Sequence, residues 1–342
     1  MKILAYGIRE DEKPFVKEWE QENPEVKEWE QENPEVDVEI TDQLLDDETV
    51  AMAKGFDGVV VYQQKPYTDT VFEKLDSYGI HNVSLRNVGV DNMNPATVKK
   101  YGFKVTNVPV YSPAAIAEFS VTQLMNLLRR TKEYFHKFER GDFRWAPQIS
   151  QELNQQTVGV IGTGHIGRVA IDIYKGFGAK VIAYDVYHNP ELEKEGLYVD
   201  TLDELYAKAT VVTLHIPLFP STEHMLNKAA FDKMRDGVFI VNASRGPLID
   251  EQALIDALDS GKVAGAALDV LEDETKVFNH NMVGKNMTYP EFWNLNSREN
   301  VLISPHTAFY TNIAVQNMVK FSLSANKDLI ETGTSDKLVK FD

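Results

Sequence analysis

Two doubly wound α/β domains, each built on a parallel sheet, are the fold class that three features of the sequence predict. Short aliphatic or β-branched runs alternate with helix-length segments almost throughout, which is the pattern of βαβ units. Runs such as GVVVY (58–62) are apolar without alternation, as strands covered on both faces require. The chain has 342 residues, too many for one ordinary core, so the runs divide between two domains.

The expected strands follow in order. KILAYGI (2–8), VDVEIT (36–41), GVVVY and NVSLRNV (82–88) form the first series. TVGVIG (157–162), KVIAYD (180–185), VVTLHIP (211–217), GVFIVNAS (237–244), VAGAALDV (263–270) and NVLISP (300–305) form the second. The division falls near Tyr111, where Ser112 can cap and Pro113 can open a long helix, SPAAIAEFSVTQLMNLLRR. Its Ile116, Phe119, Leu124, Leu127 and Leu128 make a broad apolar face, suited to core, to a domain junction or to a dimer contact. The last helix, TNIAVQNMVKFSLSANKDLIETG, follows the final strand and is placed to return to the first domain.

VKEWEQENPE occurs twice in succession, at 16–25 and 26–35. Solenoids need longer units and more copies. The repeat stands where a crossover helix belongs, and Asn23–Pro24 is expected to interrupt that helix. It reads as a tolerated surface insertion.

Composition narrows the function. Apolar residues make up 43% and charged residues 25%, as in globular proteins, and the net charge of −17 argues against nucleic acid and anionic membranes. With no cysteine there is no disulfide, no thiolate metal site and no Cys nucleophile, which suits a reducing cytosol. MKILAYGIRED is no signal peptide, and no stretch approaches the ~18 apolar residues of a membrane span. A soluble cytoplasmic protein is expected.

The strongest motif is TVGVIGTGHIGRVAIDIYKGFGAKVIAYD. A strand runs into Gly162-x-Gly164-x-x-Gly167, a helix follows, and a second strand ends at Asp185. Such glycines allow a tight turn, close approach of a pyrophosphate and close helix–strand packing, which makes this a Rossmann-type dinucleotide site. Asp185 can bind a ribose 2′-hydroxyl and would repel a 2′-phosphate, so NAD is expected rather than NADP. Ligands in such sheets sit beyond the carboxyl ends of the strands. There the later strands place Ile216–Pro217, Ala243–Ser244–Arg245–Gly246, Asp269 with Glu272 and Glu274, and His306, with no metal-type cluster among them. Arg245 suits a bidentate anion clamp, with a surface ion pair as the plain alternative. Glu274 lies in the acidic run LEDET, which by itself suits a solvated face. His306 is a candidate proton carrier, with His215 as a rival that a structural role also explains. His165, inside the glycine loop, suits the cofactor wall. His81, His136, His188, His224 and His280 fall in polar or surface-like contexts.

Taken as an ordered set, VGVIGTGHIG, LHIP, VNASRG, ALDVLEDE and SPHTAFYT resemble the D-2-hydroxyacid dehydrogenase family, and within it the fermentative D-lactate dehydrogenase branch of lactic-acid bacteria. SLRNVGVDN and NVPVYSPAAIAEF extend the resemblance over nearly the whole chain; the second VKEWEQENPE departs from it and holds no motif. The resemblance implies a discontinuous substrate domain, 1–110 and 311–342, an NAD-binding domain over 111–310, and an active site in the cleft between them. It implies an Arg–Glu–His catalytic trio at Arg245, Glu274 and His306. Backbone groups of Val88 and Gly89, with Tyr111, would touch the substrate carboxylate, while Tyr62 and Phe309 would shape the side-chain pocket. The cofactor would be held by Gly162, Gly164, His165, Ile166, Gly167, Asp185, Ile216, Pro217, Thr222, Ala243, Ser244, Arg245 and Asp269.

The reaction so implied is the reversible, NADH-dependent reduction of pyruvate to D-lactate, in a likeness that also implies a homodimer. His306 would donate the proton, Arg245 would hold the carboxylate, and Glu274 would orient the imidazole and favour its charged form. Three rivals stand beside this reading: a broader dehydrogenase of the D-2-hydroxyisocaproate type, a formate dehydrogenase, whose branch pairs the histidine with Gln, and an NAD-binding corepressor-like module.

Overall fold

The structure, a computed structural model, describes residues 1–23, 37–62 and 65–341. It contains two parallel-sheet α/β units, Met1–Ser112 with Thr311–Asp342, and Pro113–Tyr310.

In the first unit, β1 (Lys2–Ala5), β2 (Asp37–Ile40), β3 (Gly58–Val61), β4 (Asn82–Leu85) and β5 (Lys104–Thr106) pair in the order β2-β1-β3-β4-β5. Every pairing is parallel. All four residues of β3 are buried, as a strand with helices on both faces requires. The C-terminal helix Asn312–Thr332 packs on this sheet, where Asn326 Nδ2 donates to Val59 O at 3.1 Å and to Ser84 Oγ at 3.0 Å. Thr311 caps that helix by accepting from the Ala314 amide, and Gly333 ends it in the left-handed region. On the same unit, the helix Lys13–Glu22 ends just before Asn23 and packs through Trp19, whose indole N–H donates to Ser324 at 2.9 Å. The second VKEWEQENPE lies outside the described residues.

The second unit holds β6 (Thr157–Ile161), β7 (Lys180–Tyr184), β8 (Val211–Leu214), β9 (Val238–Asn242), β10 (Val263–Leu268) and β11 (Val301–Ile303), in the order β11-β10-β9-β8-β6-β7. The order reverses between β6 and β8, so a crevice opens at their carboxyl ends. The long helix Pro113–Leu128 gives much of its apolar face to core. Ala117, Val121, Leu124, Leu127 and Leu128 join Ala170, Ile171 and Tyr174 of the helix His165–Gly176 in a buried core of this unit.

Two differences from the sequence expectation matter. The strand β5 was not anticipated, because KVT is too short a run to signal anything. Most of the expected strands also end early. NVSLRNV leaves the ladder after Leu85, VVTLHIP after Leu214, GVFIVNAS after Asn242, VAGAALDV after Leu268 and NVLISP after Ile303. The residues that peel away build the loops described next.

Candidate active site

The glycine loop follows β6. Gly162 has φ +96°, and a Cβ there would lie 2.3 Å from His215 O and 2.7 Å from Ile216 Cγ2. A Cβ on Gly167 would lie 1.9 Å from Gly162 O. Both glycines are therefore required by the chain's own packing at the sheet's reversal point. Gly164 differs, since a Cβ there would meet nothing within 4 Å. It stands on the open side, at the first turn of the helix His165–Gly176, where a pyrophosphate would approach backbone amides.

Asp185 stands just past β7. Its Oδ2 accepts from the Thr163 amide at 2.6 Å and the Thr163 hydroxyl at 3.1 Å, and Oδ1 accepts from the Tyr187 amide at 3.0 Å. Thr163 also meets the Tyr198 hydroxyl at 2.7 Å, and His188 stacks on the Tyr198 ring at 4.0 Å. The carboxylate is thus pinned beside the glycine loop. This loop, open at Gly164 and bordered by a fixed acid, fits a dinucleotide whose ribose carries free hydroxyls.

The next strand ends line the same edge of the sheet. Past β8, the Thr222 hydroxyl donates to Pro217 O at 3.0 Å and accepts from the Phe219 amide at 2.8 Å, closing the loop after Ile216. Past β9, the buried Asn242 staples the turn Ala243–Ser244–Arg245: its Oδ1 accepts from the Ser244 amide at 3.0 Å and its Nδ2 donates to Arg245 O at 2.8 Å. Ser244 donates to Leu214 O at 2.7 Å, and Arg245 donates from Nη1 to Ser244 O at 2.8 Å. A Cβ on Gly246 would lie 2.0 Å from the Leu271 carbonyl carbon, so the turn that carries Arg245 abuts the turn that carries Glu274.

Glu274 is buried, which an acidic run does not suggest. Its Oε2 accepts from the Leu271 amide at 3.0 Å, and its Oε1 lies 2.6 Å from His306 Nδ1. His306 has φ +54°, rare for a residue with a side chain, and its amide donates to Asp269 O at 2.8 Å. Asp269 holds the whole segment. Oδ1 accepts from the Ser304 hydroxyl at 2.6 Å and the Thr307 amide at 2.9 Å, and Oδ2 accepts from the Ala308 amide at 2.8 Å. Burial pushes the Asp269 carboxyl above the usual range, against these donors. Phe309 meets the His306 ring edge to face, 6.2 Å between centroids.

His215 sits differently. Its Nε2 meets Thr213 Oγ1 at 3.0 Å, its Nδ1 is buried without a hydrogen-bond partner, and burial lowers its pKa to about 4. It is a neutral imidazole beneath the glycine loop. His224, expected at the surface, pairs with Glu272, and this hydrogen bond raises its pKa.

Tyr62, Val88, Gly89 and Tyr111 belong to the first unit, past the carboxyl ends of its strands. Asn107 Nδ2 donates to Val88 O at 2.6 Å, Asn87 Nδ2 to Gly89 O at 2.5 Å, and Asn317 Nδ2 to Tyr111 O at 2.7 Å. The guanidiniums of Arg9 and Arg86 lie 5.6 and 5.3 Å from the Tyr62 ring centroid. Arg86 is buried, ion-paired to buried Glu12, and bonded to Gly7 O at 2.7 Å. Sequence reasoning passed over this cluster, since Arg86 extends an apolar run and its partner is 74 residues away. Among the described residues, no group of three or more His, Cys, Asp or Glu is arranged to hold a metal ion.

Residues 121–308 match the family described as D-isomer specific 2-hydroxyacid dehydrogenase, NAD binding domain. The chain is 59% identical over 342 residues to a D-lactate dehydrogenase of Lactiplantibacillus plantarum, covering 100% of both chains. It is similar to the solved D-2-hydroxyisocaproate dehydrogenase, with a TM-score of 0.85, 42% identity and 99% of each chain covered. It is also similar to the NAD-complexed D-isomer specific 2-hydroxyacid dehydrogenase of Lactobacillus delbrueckii ssp. bulgaricus, with a TM-score of 0.84, 38% identity and coverage of 99% of this chain and 100% of that one. With its glycine loop, fixed acid and histidine–carboxylate pair along one sheet edge, the chain belongs to the D-isomer specific 2-hydroxyacid dehydrogenases.

Proposed function

We propose that this protein is an NADH-dependent D-lactate dehydrogenase that reduces pyruvate reversibly, with Arg245, Glu274 and His306 as its catalytic residues. The observation that carries this reading is the 2.6 Å contact between His306 Nδ1 and the buried Glu274, in a chain 59% identical to a D-lactate dehydrogenase. With Nδ1 so engaged, Nε2 is the nitrogen that holds the transferable proton. His306 gives that proton to the carbonyl oxygen of pyruvate as negative charge develops there, and takes it back from the hydroxyl of lactate in reverse. Arg245 binds the carboxylate and adds positive charge beside the oxygen. Glu274 fixes the ring through its contact with Nδ1. Gly162, Gly164, His165, Ile166, Gly167, Ile216, Pro217, Thr222, Ala243, Ser244, Arg245 and Asp269 would hold NADH, which would supply the hydride when bound. Asp185 selects it over the 2′-phosphorylated form.

In this reading the unit Pro113–Tyr310 binds NAD, and Tyr62, Val88, Gly89 and Tyr111 of the other unit bind substrate. The protein works in the cytoplasm as a homodimer, without nucleic acid or membrane partners. Phe135, Phe138, Phe143, Trp145 and Ile149 are all exposed, which supports a second copy as their cover. No described helix is long and apolar enough to cross a membrane. The test compares initial rates of NADH oxidation with pyruvate and with 2-ketoisocaproate. A higher kcat/KM for pyruvate is expected. Preference for the branched acid would favour the D-2-hydroxyisocaproate type instead, the name carried by a structural relative.

A further inference from the structure

Glu251 opens the helix Glu251–Asp259, and its carboxylate is buried, with 4% exposure. An acid placed there by default would face solvent, and the acid–base reading does not use it. Glu251 Oε1 accepts from the Glu272 amide at 2.8 Å. The Tyr289 hydroxyl, on a side chain equally buried, lies 2.8 and 2.9 Å from the two Glu251 oxygens and donates its one proton to them. The oxygen of that hydroxyl accepts from the Asp273 amide at 3.0 Å. Glu274 Oε2 takes the remaining donor of the turn, the Leu271 amide, at 3.0 Å.

Three successive amides, those of Leu271, Glu272 and Asp273, are therefore each held by a different buried or half-buried side-chain oxygen. The next residue is the one whose carboxylate meets His306. A turn held at three successive amides cannot rotate without giving up these hydrogen bonds, one of them from the buried Leu271 amide, so its side chain leaves the backbone at one angle. Burial pushes the Glu251 carboxyl up, with Glu272 and Glu291 adding to the push, while the Glu272 amide and the Tyr289 hydroxyl oppose it. Lys276, 5.8 Å from the Tyr289 ring centroid, and His224, paired with Glu272, are nearby basic groups.

We propose that Glu251 and Tyr289 are positioning residues for the reaction, clamping the 271–273 turn so that Glu274 meets His306 at the working distance and angle. This rests on the acid–base reading of Glu274 and His306. It goes beyond that reading because both residues act on the turn that carries Glu274 and not on the transferred proton. His306 is faced by Glu274 and by Asp269, and only the first of these rides on the clamped turn.

The test uses the full chain and single-turnover oxidation of NADH by pyruvate across pH, in Tyr289→Phe, Glu251→Ala and Glu251→Gln, with Glu274→Gln as the reference. Tyr289→Phe and Glu251→Ala should slow turnover about tenfold or more, an effect on the order of that seen when partners that orient metal ligands are removed. Their high-pH limb should move acid, in the direction Glu274→Gln moves it, while the KM for NADH stays within about twofold. Glu251→Gln keeps an acceptor for the Glu272 amide and should recover most of the rate. Should Glu251→Ala fail to fold, Tyr289→Phe and Glu251→Gln still decide. The proposal is overturned if Glu274→Gln moves the limb while Tyr289→Phe leaves both rate and limb alone. It is also overturned if the rate falls with the limb unmoved, which would make the clamp mere scaffold. If Glu274→Gln itself leaves the limb in place, the acid–base reading fails and takes the clamp with it.

Discussion

His215 and His306 both stand just past a strand of the same parallel sheet, and their surroundings are opposite. His215 follows β8, with one ring nitrogen buried and unpartnered and a pKa pushed down to about 4 by burial. His306 follows β11, in a left-handed backbone conformation, with its Nδ1 against a buried carboxylate. Position at a strand end is therefore no mark of a proton carrier. What separates the two is a carboxylate against one ring nitrogen, which His306 has and His215 lacks.

The sharpest way to break that comparison is to remove each ring in turn. His306→Gln should lower kcat in both directions by about 10³-fold or more while NADH still binds, because general acid–base catalysis is worth ~10²–10⁴-fold and a neutral amide cannot replace it. His215→Gln should keep both limbs of the pH–rate profile where they are. A shifted limb in that variant would make His215 the titrating group.

Arg245→Gln sharpens the contrast between proton transfer and anchoring. It should lower kcat/KM for pyruvate on the order of 10²-fold, mostly through KM, with NADH affinity changed far less. Near-normal pyruvate kinetics would remove Arg245 from the site.

The smallest effect concerns stability. His215 has a folded pKa below its unfolded value near 6.5, so the unfolded chain binds more protons between those values. The stability it contributes is whole above about 6.5 and is lost as pH falls toward 4. Between pH 7 and pH 5 the wild type should lose on the order of 1–2 kcal/mol that His215→Gln does not lose. Urea unfolding at the two pH values measures this, and equal losses in both proteins would contradict a buried neutral ring.

The same contrast explains what could be read in advance. The glycine loop, Asp185 and the two parallel sheets were legible because their signals are local: spacing, periodicity and turn residues within a few positions. The ends of the strands were misjudged in a consistent direction. His215, Ala243, Asp269 and Ser304 continue their runs in the sequence but leave the ladder to build the site. The burial of Glu274 was illegible because its surroundings are assembled at long range. Glu251 lies 21 residues before the amide it holds, and the Asp269 carboxylate grips amides 38 and 39 residues on. Acidic runs read as solvated faces until such partners are known. Family resemblance, not local pattern, marked Glu274 and His306 as a pair.

We propose that the Glu274 carboxylate acts on His306 through its charge as well as through its geometry. The most direct measurement is a pair of pH profiles of kcat/KM, for pyruvate reduction and for lactate oxidation, in wild type and in Glu274→Gln, under conditions where chemistry limits the rate. The Gln side chain preserves shape and hydrogen-bonding reach but removes the negative charge 2.6 Å from the imidazole. Reduction needs the imidazolium, so its high-pH limb should move acid. Oxidation needs the neutral ring, so it should persist to lower pH than in wild type. Profiles whose limbs stay fixed in both directions would contradict the account.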